Sequence, residues 1–124
     1  MNKMNFRKLI VVTLLAVLSS CANTKNNKLI IGKWTGAEWI VNGSPAGMDP
    51  KETHFTFDDQ GNYTFTYAGV LEKGTYNVEN DMLFTKPTDQ QEIMVRISKL
   101  TMDSLIFDMN RGGQPETLVL IRTP

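Results

Sequence analysis

"HFTFDDQGNYTFTY", residues 54–67, carries two short runs of strict alternation around a turn. In an extended chain successive side chains point to opposite faces, so Phe55 and Phe57 share one side while Thr56 and Asp58 take the other. Tyr63, Phe65 and Tyr67 repeat the pattern against Thr64 and Thr66. The intervening "DDQGN" supplies turn chemistry, with Gly61 free to adopt positive φ. The stretch therefore predicts a β-hairpin with one aromatic face.

Working outward, the same period predicts eight strands, near 33–41, 53–58, 63–68, 74–78, 82–86, 92–99, 104–109 and 116–122. The segments "EKG", "VENDM", "KPTD", "TMDS" and "RGGQP" are turn-like, and most connections are short. Strands joined by short connections are usually neighbours, which makes the order a meander. Apart from the N-terminal apolar segment, no run of ten residues has a helical period. The expected fold class is all-β, a small eight-stranded up-and-down antiparallel barrel, because closure removes the edges of such a sheet.

"IGKW", Ile31–Trp34, resembles the glycine-x-tryptophan signature that opens the first strand of lipocalins. The last strand ends in "LVLIRT", with Arg122 where that family often has an arginine. The resemblance spans Leu29 to Thr123 and implies a lipocalin (calycin-like) barrel. It further implies that Arg122 lies across Trp34 and closes the narrow end, with Gly32, Trp34 and Arg122 as structural residues. The domain is shorter than a typical lipocalin and shows no C-terminal helical segment.

The N-terminus has its own character. Lys3, Arg7 and Lys8 precede "LIVVTLLAVL", which as a helix rises about 15 Å, too short to remain as a membrane span. That pattern reads as a signal peptide, residues 1–20. "LSSC", ending at the single cysteine Cys21, resembles the lipobox of bacterial lipoproteins. The resemblance implies acylation of Cys21 and a membrane partner through that lipid; an unpaired thiol in an oxidising compartment otherwise has no structural use. No aspartate follows the cysteine and no acidic cluster follows it either. The expected location is the cell envelope, at the outer membrane facing the periplasm. With a lipocalin-like domain, the combination resembles lipocalin-like lipoproteins of Bacteroidetes. The polar "ANTKNNK" gives residues 21–28 the reading of a lipidated cysteine and short tether, and residues 29–124 that of the barrel domain.

Residues 1–20 hold three of the 13 basic side chains and none of the 13 acidic ones, so the remainder carries a formal charge near −3. That balance offers no phosphate-binding surface, and nucleic acid is not an expected partner. His54 is the single histidine, so a metal site built on several imidazoles has no ligands. Ser44, Ser98 and Ser104 lie in no nucleophile-elbow context. Asp58 and Asp59 are adjacent, belong to the turn and lack calcium-loop spacing. Met82, Met94, Met102 and Met109 are scattered and read as gap-fillers. No catalytic residue, metal or cofactor is expected. "DSL", Asp103–Leu105, resembles the acceptor tripeptide for O-glycosylation in Bacteroidetes, which makes Ser104 a candidate for modification.

Two non-catalytic functions remain. Eight-stranded barrels are either filled by their own side chains or hold one small ligand. Phe55, Phe57, Tyr63, Phe65, Tyr67, Tyr76, Phe84 and Phe107 occupy the apolar faces, and inward aromatics of that size leave a shallow pocket at the open end rather than a deep one. By the lipocalin resemblance, "NGSPAGMDPK" after the first strand lids that mouth. Trp39, Met48 and Tyr67 are the candidate ligand contacts for a small apolar or amphipathic molecule, with packing and loop cover as the competing role of Trp39 and Met48. The alternative is a filled barrel whose outer faces meet another envelope protein.

Overall fold

The computed structural model describes residues 25–124; the signal-peptide and Cys21 readings lie outside the described residues. A single sheet contains β1 (Gly32–Val41), β2 (Ser44–Pro45), β3 (Thr53–Phe57), β4 (Asn62–Tyr67), β5 (Val70–Glu79), β6 (Met82–Pro87), β7 (Ile93–Leu100), β8 (Ser104–Arg111) and β9 (Gln114–Arg122). β2 is a two-residue strand folded back on β1. The eight longer strands form an antiparallel meander, and β9 returns to β1 in a ladder running from Trp34 opposite Arg122 to Val41 opposite Glu116. The sheet closes into a barrel, and its lateral edges are thereby consumed.

The hairpin 54–67 forms with Phe55 opposite Phe65 and Phe57 opposite Tyr63. Its turn is held by Asp58, whose carboxylate accepts the amides of Gln60 and Asn62 at 2.9 Å each. Those bonds, chiefly the one from Asn62, hold the Asp58 carboxyl below its ordinary range. Asp58 thus acts as a turn residue.

Two local expectations change. "EKG" is strand: β4 and β5 join at Ala68–Gly69, with Tyr67 paired to Val70, and β5 runs unbroken through Gly74. Gly74 is needed there because a Cβ would lie 2.0 Å from the Lys86 carbonyl oxygen and 2.9 Å from Pro87 Cα. Phe84 alternates with the buried Leu83 and Thr85, so it faces outward and does not fill the barrel.

Residues 25–29 are helical and already belong to the folded body. The Asn27 side chain donates to the Val78 carbonyl at 2.7 Å and accepts the Val78 amide at 3.1 Å, while Asn26 donates to the Asn80 carbonyl at 2.7 Å. These amides turn the end of the polar tract into a docked plug, which moves the start of the folded body upstream of Leu29.

Candidate functional site: the open mouth of the barrel

The two ends of the barrel differ. At the end holding residues 25–32 and the turns after β3, β5 and β7, Trp34 is fully buried and its Nε1–H donates to the Ile30 carbonyl at 2.9 Å. The Arg122 guanidinium lies 4.2 Å from the centroid of the Trp34 ring. It donates to the carbonyls of Ile31 and Leu29 at 2.8 Å each, and to that of Met102 at 2.5 Å. Gly32 has φ +136°, and a Cβ there would lie 2.4 Å from Arg122 Nη1. A cation over an indole contributes about 0.5–2 kcal/mol. Together with Phe57, Val78, Leu83, Leu105 and Leu120, each at most 1% exposed, these side chains make this half solid. Ser104 begins β8 here; its amide and that of Asp103 are capped by the Thr101 hydroxyl.

The opposite half is hollow. A cavity of about 380 Å³ is lined by Trp39 of β1, Phe55 of β3, Tyr63 and Phe65 of β4, Glu72 of β5, Leu83 and Thr85 of β6, Ile93 and Val95 of β7, Phe107, Met109 and Arg111 of β8, and Leu118 of β9. Every long strand contributes, so the space is the barrel interior itself. Its size falls in the lower part of the roughly 300–1,000 Å³ range of small-molecule sites. The wall is aromatic: the Phe55 centroid lies 4.8 Å from that of Phe65 and 5.5 Å from that of Phe107.

Two charged side chains, Glu72 and Arg111, interrupt that wall, and a third, Glu116, contacts Trp39 and Arg111 of the lining. Tyr63 OH donates to Glu72 Oε2 at 3.0 Å. Burial, reinforced by the hydrogen bond to Glu72 and by its charge, pushes the Tyr63 phenol well above the usual tyrosine range. Glu116, 8% exposed, accepts the Trp39 Nε1–H with one oxygen and lies 3.5 Å from Arg111 Nε with the other. Arg111 is itself 69% exposed at the rim.

Of the three ligand candidates, Trp39 lines the cavity. Tyr67 packs edge-on against it, with centroids 6.0 Å apart at 88°, but is not part of the lining. Met48 does not reach the barrel cavity; it lines a second recess on the flank of β1 together with Trp39, Ala37, Ile40, Pro45 and Pro50. The reason is local. Val41 pairs with Ser44, and the Ala46 amide donates to the Trp39 carbonyl at 2.9 Å, so the segment after β1 continues the wall instead of lying over the mouth.

Glu72, Arg111 and Glu116 were not among the sequence candidates, yet alternation marks them. Arg111 shares parity with Leu105, Phe107 and Met109, Glu116 with Leu118 and Leu120, and Glu72 with Tyr76 and Val78. A charged residue at an inward position is the signal.

Comparison with known proteins agrees with this architecture. Residues 30–107 match the family described as lipocalin-like domain. The fold is similar to a crystal structure of a lipocalin-like protein from Bacteroides uniformis ATCC 8492, at TM-score 0.58 and 11% identity, covering 77% of this chain and 99% of that one. It is also similar to an uncharacterized protein from Bacteroides eggerthii DSM 20697, at TM-score 0.56 and 12% identity, covering 76% and 99%. No curated protein sequence matches the chain. By the match over 30–107 and the closed barrel that contains it, this chain belongs to the lipocalin-like domain family.

Proposed function

We propose that this chain is a membrane-anchored envelope lipoprotein whose barrel binds one small apolar or amphipathic molecule without converting it. The observation that carries the binding reading is the division of the barrel into a solid half and a hollow half of about 380 Å³ walled mainly by aromatic and aliphatic side chains. A filled interior, as a purely structural module would have, needs no such space. The anchoring reading rests on "LSSC" behind a charged and then apolar N-terminus; the proposed location, the outer membrane on its periplasmic side, is supported by the lack of an aspartate or acidic cluster just after Cys21.

Native mass spectrometry of protein purified from its own cells, paired with thermal shifts across a panel of lipids and small apolar compounds, tests the binding. A co-purifying small molecule or a saturable rise in Tm is the expected result. Repeated absence of both favours the alternative, an envelope assembly partner that works through its outer strand faces. Anchoring is tested separately by metabolic labelling with palmitate, where Cys21→Ala is expected to remove the label.

A further inference from the structure

The charges around the cavity are unequally answered. Glu116 has both oxygens committed, one to the Trp39 indole and one to Arg111, so the guanidinium at the rim already has its counter-charge. Glu72 differs. Among the described residues its side chain has one hydrogen bond, from the Tyr63 hydroxyl, a neutral donor, and no basic side chain within ion-pair distance. A carboxylate on an aromatic wall without a basic neighbour offers its negative charge to whatever occupies the cavity. The same wall presents the rings of Phe55, Phe65 and Trp39, whose faces attract cations.

We infer that the cavity selects an apolar molecule bearing a protonated amine, with the ammonium at Glu72 among these rings, and discriminates against a carboxylate head group. A fatty acid would bring a further anion beside Glu72 and would meet an arginine that is already paired. An alkyl ammonium ion supplies the missing charge and buries its chain against Phe107, Leu83 and Leu118 below. This inference rests on the reading of the cavity as a ligand site.

Three probes with one chain length and different heads separate the possibilities: decylamine, 1-decanol and decanoate. Each is titrated below its aggregation concentration at pH 7 into purified Cys21→Ala protein and followed by calorimetry. Decylamine is expected to bind about tenfold or more tightly than decanol, and decanoate most weakly. Glu72→Gln is expected to bring decylamine to within about twofold of decanol while leaving decanol unchanged. Decanoate binding as tightly as decylamine, or an amine preference that survives Glu72→Gln, overturns the inference while leaving a ligand-binding barrel intact. Failure of all three probes to bind overturns the inference and counts against the binding reading as well. The ranking on the unmodified cavity stands independently of whether the Glu72 variant folds.

Discussion

Strand β1 carries both tryptophans of the protein, and they lead different lives. Trp34 is fully buried, gives its N–H to a neutral carbonyl and is covered by a cation that donates to three carbonyls. Trp39, beyond the bulge at Gly36–Glu38, gives its N–H to a carboxylate and turns its ring to empty space. The difference teaches how one meander serves two purposes. At the closed end the Trp34 N–H and the Arg122 guanidinium are satisfied by backbone, which fixes geometry and leaves no room; at the mouth the Trp39 N–H and the Tyr63 hydroxyl are satisfied by other side chains, and room remains.

The largest effect is expected at the closed end. Trp34→Ala removes a fully buried indole from a half without spare space, and should lower unfolding free energy by about 3–5 kcal/mol in urea titrations. A loss comparable to that of a surface residue would break the contrast. Glu116→Ala strips the Trp39 indole of its acceptor and is expected to cost about 1–3 kcal/mol, accompanied by a change in the emission of Trp39. The comparison sharpens if Trp39→Phe with Glu116→Ala costs less than the sum of the single changes, because the two act as one unit.

A gentler effect concerns alkali. The Tyr63 phenol is raised in the folded state, so the unfolded chain ionises first. The associated stability is present below the ordinary tyrosine pKa near 10.0 and drains away as pH rises above it. Tyr76, raised by burial and then by the charges of Asp58 and Asp59, acts in the same direction. Denaturation midpoints followed from pH 8 to 11 should fall more shallowly for Tyr63→Phe than for the parent. An unchanged slope would mean that Tyr63 is not protected at the cavity wall. The smallest effect is a gain. Thr53 is fully buried where β3 begins, and its hydroxyl has no hydrogen-bond partner among the described residues. Thr53→Val is expected to raise stability by about 1 kcal/mol, read from the same urea midpoints.

The barrel was legible because alternation is a property of the sequence itself. Phe55, Phe57, Tyr63 and Phe65 declare their shared face without help, and the return of the Arg122 strand to the Trp34 strand follows from eight such elements in short succession. Gly74 was misread because the chain alone does not show that β6 crosses within contact distance of it; a glycine demanded by a neighbour looks like a glycine demanded by a turn. Met48 failed as a cavity contact for a related reason. Its place depends on which strand the segment pairs with after Asn42–Gly43; it folds straight back onto β1, Val41 against Ser44, a choice of partner that alternation does not announce. The charged residues of the cavity were legible in principle, since parity alone sets Glu72, Arg111 and Glu116 inward, but searching for grease at the mouth passes over them.

Asn26 and Asn27 tie the start of the described chain to Val78 and Asn80, at the pole that Trp34 and Arg122 seal. The described chain therefore begins at the sealed pole of the barrel. The hollow half opens at the opposite pole, so this docked segment leaves the aperture unobstructed.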